Sequence, residues 1–199
     1  MATYPKSLRN LIECFKKLPS VGEKSAERMA LSVMEMKKEQ INLFSESLID
    51  VKTKIKRCTI CSNFTEEDIC EICSDSGRNN EVICVVESPK NIVLFEKIGS
   101  FSGKYHVLNG LISPLDGITP EDINIKTLVS RVEEEKIKEI IIAVKPSIEG
   151  ETTALYISKL FENYPVLITK IAHGVPLGTD MEYIDTLTLE MALEDRKQV

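Results

Sequence analysis

A chain of 199 residues, 43% apolar and 28% charged, holds enough material for one large or two modest domains with cores of their own. No apolar run is long enough to cross a bilayer, and the opening Met-Ala-Thr-Tyr-Pro-Lys-Ser-Leu-Arg-Asn does not read as a secretory leader, so the expected compartment is the cytoplasm. The net charge of −6 is unevenly placed: residues 1–57 carry twelve Lys and Arg against seven Asp and Glu, net +5, and the remainder thirteen against twenty-four, net −11. A basic part of this kind suggests a polyanionic partner, although solvated helix faces give the same count.

In chain order, Leu8, Leu11, Ile12, Phe15 and Leu18 recur at spacings of three and four, which predicts an amphipathic helix over 7–18 that Pro19 stops. A second helix, from Gly22 to about residue 37, would bury Ala26, Met29, Ala30 and Val33. A third, over 38–56, aligns Phe44, Leu48, Val51 and Ile55 on one face. Residues 1–57 thus read as a small helical unit. Cys14 in the first helix, like Cys84 in a later strand, reads as a buried reduced thiol.

Cys58-Thr59-Ile60-Cys61 and Cys70-Glu71-Ile72-Cys73 then place two Cys-x-x-Cys knuckles within residues 58–73. Together they offer a tetrahedral all-thiolate set for one structural zinc ion. A disulfide framework suits a small secreted domain better than this chain. Thiolates alone would also hold an iron–sulfur cluster. Four protein ligands leave no open position for water or substrate, so the metal should fold something and do no chemistry.

Beyond the polar turn at 74–80 the texture changes to short apolar runs alternating with helical patterns. Strands are predicted at 82–86, 105–108, 139–144 and 166–172, and helices at 90–98, 120–135, 152–163 and 180–196. This alternation argues for an α/β domain with a mostly parallel sheet flanked by helices.

Two stretches carry further chemistry. Leu18-Pro19-Ser20-Val21-Gly22-Glu23-Lys24-Ser25-Ala26-Glu27-Arg28 resembles the helix-hairpin-helix of DNA-repair proteins, although an ordinary αα-hairpin would also use a Pro-Gly turn. Backbone N–H groups at the helix N-terminus can hold a phosphate without reading a base, and Lys24 and Arg28, at i and i+4, would add charge on one face. The motif usually has Gly where this chain has Ser20. A positive φ there costs about 1–2 kcal/mol, which favours phosphate contact through Gly22 and the side chains. Glu87 after the first strand, and Lys145-Pro146-Ser147-Ile148-Glu149-Gly150-Glu151 after the third, resemble a Toprim domain. Active members read Asp-Pro-Asp-Arg-Glu-Gly-Glu there, with an Asp-x-Asp pair for Mg2+. Lys145 and Ser147 replace both aspartates, so strand cleavage is not expected. Glu87, Glu149 and Glu151 remain as a docking surface for a basic partner or as a solvated acidic rim.

The order of these modules resembles the RecR family of recombination mediators, as do Tyr105-His106-Val107-Leu108-Asn109-Gly110-Leu111-Ile112-Ser113-Pro114-Leu115-Asp116-Gly117 and the string from Ile171 to Asp185. The resemblance implies a helix-hairpin-helix domain over 1–57, a four-cysteine zinc finger over 58–73, a Toprim domain over 80–172 and a C-terminal helical segment over 173–199. It also implies a non-enzymatic DNA clamp, a homo-oligomer from dimer to tetramer ring in the bacterial nucleoid. Such proteins bind single- and double-stranded DNA and work with RecO and RecF to load RecA where single-strand-binding protein covers the DNA. On this resemblance Lys24 and Arg28 face DNA and Glu149 meets RecO. The other readings are a Toprim phosphoryl-transfer enzyme and, on the knuckles alone, a zinc-ribbon regulator. His106 and His173 end apolar runs and read as structural residues. The Gly174-Val175-Pro176-Leu177-Gly178 segment lacks the Lys-[Ser/Thr] of a phosphate-binding loop, so no ATP site is expected.

Overall fold

The computed structural model describes residues 4–172, 174, 175, 178–194 and 196; His173 lies outside the described residues. The chain divides into two compact units, Met1–Ile55 and Lys56–Val199. Among the described residues no helix is long and apolar enough to cross a membrane.

The first unit contains α1 (Lys6–Lys16), α2 (Glu23–Met34) and α3 (Lys38–Lys54). Ile12 of α1 packs on Ala26 and Ala30 of α2, with Leu8, Leu11, Phe15 and Val21 around them. The two alanines let the helices approach closely. Several apolar residues expected in a core are not there. Met29 is 40% exposed, Cys14 is exposed, and α3 buries no residue at all. Phe44, Leu48 and Val51 on it stand 41%, 60% and 62% exposed, and Ile55, the extended residue that ends it short of the expected 56, 40%. Periodicity marks this face as apolar, but a helix pattern names no partner for it.

Between α1 and α2 the Val21 N–H donates to the Leu18 carbonyl at 3.2 Å, which closes a four-residue turn around Pro19 and Ser20. Ser20 has φ 65°, the left-handed value that a type II turn requires at its third position. The turn is closed, and it holds a serine where glycine is unstrained.

The second unit begins with the hairpin β1 (Lys56–Arg57) and β2 (Phe64–Thr65), followed by the single-turn helix α4 (Glu71–Ser74). The α/β part then runs β3 (Asn79–Val86), α5 (Pro89–Ile98), β4 (Gly103–Val107), α6 (Lys126–Glu134), β5 (Glu139–Ala143), α7 (Ile148–Leu160), β6 (Leu167–Lys170) and α8 (Thr186–Glu194). The sheet order is β4-β3-β5-β6 and every pairing is parallel. Alternation along β3 sends Ile83 and Val85 to a core with Leu128 of α6 and Ile157 of α7, and Cys84 and Val86 to a second core with Ile92 of α5. Both faces are covered, as a parallel sheet requires.

The chain leaves β3 on one side to make β4 and returns on the other to make β5. The carboxyl ends of β3 and β5 are therefore a topological switch point, where open α/β sheets place their sites. Three helices start elsewhere than expected, α8 beginning at Thr186 rather than at Asp180. Helix α7 begins at Ile148 because Ser147 caps it, its Oγ accepting from the Gly150 N–H at 3.2 Å. Helix α6 is delayed to Lys126 by a turn in which Thr119 N–H and Oγ1–H both donate to Asp122 at 2.8 Å.

Ser20→Gly should stabilise the protein by about 0.5–1 kcal/mol, because it relieves roughly 1–2 kcal/mol of left-handed strain and returns part of it as unfolded-state freedom. Urea denaturation at constant slope measures this; an unchanged or lower midpoint would show that Ser20 is not strained.

Candidate nucleic-acid interface and metal centre

Cys58, Cys61, Cys70 and Cys73 come together as the sequence spacing requires, with all four sulfurs within 4.8 Å of one another. Sulfurs at about 2.3 Å from a tetrahedral zinc lie about 3.8 Å apart, and the Cys61 and Cys70 Sγ atoms are separated by 3.5 Å. That spacing suits one ion, and an iron–sulfur cluster would need a wider cage. The first three cysteines are buried and Cys73 is half-buried. The Cys70 N–H donates to Cys58 Sγ at 3.3 Å and the Asn63 N–H to Cys61 Sγ at 3.5 Å, bonds that favour thiolates. Hydrogen bonds from the Cys61 and then the Cys73 thiol hold Cys70 well below the ordinary thiol range. The quartet is a structural zinc site with no position open for substrate. Cys84 is different: burial alone pushes its thiol up to about 12.

The knot belongs to the same compact unit as the sheet. Ile72 packs both against the cysteines and into the core formed by Cys84, Val86 and Tyr105. The Val107 N–H donates to the Cys61 carbonyl at 2.9 Å, and Asn124 Nδ2 donates to Ser62 Oγ at 2.9 Å. Arg57 lies over the Phe64 ring, 4.5 Å from its centroid. Spacing rules foretold none of these ties, which join residues up to 62 positions apart.

In the helical unit, Gly22 is the N-cap of α2, with φ −81° and ψ 173°, and no side chain caps the helix. A Cβ added there would meet nothing within 4 Å, so neither backbone conformation nor internal packing requires glycine. What glycine leaves open is a close approach from outside to the uncapped N–H groups of the first turn, the geometry that holds a phosphate. Lys24 and Arg28 are both exposed on the helix that leaves this turn.

At the switch point, Glu87 follows β3 and Lys145 lies two residues beyond β5, with Val86 and Ala143 in register. Glu149 accepts from the Ser147 hydroxyl at 2.6 Å, and this bond, with a smaller contribution from Lys145, holds its carboxyl below the usual range. Glu151 pairs with Lys170 at 2.9 Å. Sequence reasoning named the three carboxylates but missed Ser147 and Lys170 as their partners. Among the described residues, the cysteine quartet is the one group of three or more such side chains that converges as metal ligands; Glu87, Glu149 and Glu151 do not converge. His106 is fully buried, its Nε2 is 2.7 Å from the Asn124 carbonyl, and burial pulls its pKa down to about 4. The ring is neutral and donates from Nε2.

Protein-family models match the chain in four consecutive segments. They are a RecR helix-hairpin-helix over residues 8–52, a RecR four-cysteine zinc finger domain over 55–75, a Toprim domain over 81–172 and a RecR C-terminal segment over 174–197.

Gly22→Ala should cost no more than about 1 kcal/mol of stability as a poorer N-cap and leave the protein folded, yet weaken DNA binding several-fold, which a purely structural hairpin would not do. Lys24→Ala with Arg28→Ala should weaken binding on all sequences and flatten the salt dependence by about two units of slope. Filter binding or anisotropy across a salt series reads both, and unchanged retention would place the DNA site elsewhere.

Proposed function

The chain belongs to the RecR family, and from that premise we propose that it is a DNA-binding clamp with no active site, a recombination mediator that serves DNA repair in the bacterial cytoplasm. It works with RecO and RecF type proteins to help load RecA on DNA covered by single-strand-binding protein. The observation that carries this reading is the succession of the four matched modules on one chain. The basic helical part supplies the phosphate-facing turn of α2, and the acidic α/β part supplies a surface for a basic partner.

Two features support a scaffold over a phosphoryl-transfer enzyme. Lys145 puts a cation where Mg2+ would need an anion, opposing a divalent ion by roughly 4 kcal/mol per unit charge a few ångström away. Glu151 is already engaged by Lys170. Self-assembly is supported by α3, whose exposed Phe44, Leu48, Val51 and Ile55 form a stripe that a second copy would cover.

Incubation with single- and double-stranded DNA plus Mg2+ or Mn2+ should leave both intact; metal-dependent cleavage that Glu87→Gln abolishes would overturn the scaffold reading. Glu149→Lys should weaken capture of a RecO protein without changing the fold, and unaltered capture would return Glu149 to a solvated rim. Leu48→Glu should lower the mass seen by light scattering, and an unchanged mass would remove α3 from the interface.

A further inference from the structure

Lys104, in the sheet's edge strand β4, is 5% exposed. Its ammonium donates to three backbone carbonyls, those of Ile72 at 2.8 Å, Cys73 at 3.1 Å and Asp75 at 2.6 Å. These use all three of its donors. None of the acceptors is charged, and among the described residues no carboxylate pairs with it. Another buried cation and a half-buried one are treated differently. Arg131, 6% exposed, is held by Glu135 at 3.0 and 3.1 Å, and Arg78 pairs with Glu96. Burying an ammonium without an opposing charge is costly, so a negative charge is called for nearby.

The zinc centre supplies one. Four thiolates outweigh a divalent ion, leaving the centre net negative, and Lys104 grips the helical turn that carries its last ligand, Cys73. Lys104 and Cys73 line the same cleft of ≈330 Å³, together with Arg131 and Glu135. Since Glu135 already balances Arg131, Lys104 is the cation left for the thiolates. We propose that Lys104 is the counter-charge of the zinc centre and the tie that makes the metal a stabiliser of the edge strand β4. The second knuckle is held to β4 through Lys104 and the first through the Val107–Cys61 hydrogen bond, so zinc loss is felt in the sheet.

Lys104→Gln keeps N–H donors for the carbonyls and removes the charge; Lys104→Met removes both. With circular dichroism reporting native secondary structure, Lys104→Gln should release zinc to a chromophoric chelator about 10–100 times faster than the wild type. In cobalt-substituted protein its sulfur-to-metal charge-transfer band should move to longer wavelength, because loss of a nearby cation raises the thiolate electrons in energy. General loosening of the fold would not move that band. A folded Lys104→Gln protein with wild-type release and an unmoved band would overturn the counter-charge. The wild-type protein gives a readout independent of substitution: stripping its zinc should remove hydrogen-exchange protection from the amides of β4. Protection that survives zinc removal would overturn the tie.

Discussion

The edge of a parallel sheet leaves a row of backbone donors and acceptors without a neighbouring strand, and a bare edge invites pairing with another chain. Strand β4 occupies that edge, yet all five of its residues are buried. The zinc knot contributes to its cover. A knot of this size has too little apolar surface to fold without its metal, and an uncovered β4 would be a liability, so the metal serves both. Because binding free energy at such a site is also folding free energy, zinc stabilises the α/β unit as a whole. By charge the knuckles read as a boundary between a basic and an acidic part. In the folded chain they are an integral part of the acidic one, bound to it through Ile72, Lys104, Val107 and Asn124.

The opposite consideration governs the switch point between β3 and β5. There Lys145 and Ser147 stand where the Toprim resemblance puts two aspartates. A Cβ on Gly150 would lie 2.0 Å from the Lys145 carbonyl oxygen, so the first turn of α7 presses on the strand exit and only glycine fits. Ser147 caps that helix and fixes Glu149 by a hydrogen bond. A serine can do this without bringing the negative charge of an aspartate. The loop is held by these bonds with a cation and a hydroxyl at the strand exit, the arrangement on which the scaffold proposal rests.

The strands were legible because their runs at 82–86 and 139–144 are continuous and β-branched, and the zinc site because its ligand spacing is local. Gly22, Lys24 and Arg28 could be named from one short turn motif. Lys104 could not. A lysine in a strand reads as exposed, and its burial depends on three carbonyls 29 to 32 residues earlier in the chain, which no local pattern encodes. Helix α3 failed for another reason: an amphipathic stripe reports that a face is apolar, while what covers it is decided elsewhere, and among the described residues nothing buries it.

The most informative residues are those that break a local rule and lack the usual partner among the described residues. Gly150 is explained internally, by the backbone it touches; Gly22 is not, since its conformation suits any residue and its Cβ direction is empty. Among the described residues, Lys104 is a buried cation without a carboxylate, and Phe44, Leu48, Val51 and Ile55 are apolar side chains without a core. The proposed function and the zinc site answer each departure by its chemistry: a phosphate that needs backbone approach, the anionic centre made by the chain's own cysteines, and an apolar surface of a second copy. Stability alone would favour a capping residue at Gly22 and polar residues on α3. On the proposed function, the free chain forgoes stability at Gly22 and on α3 that binding to DNA and to a second copy would recover.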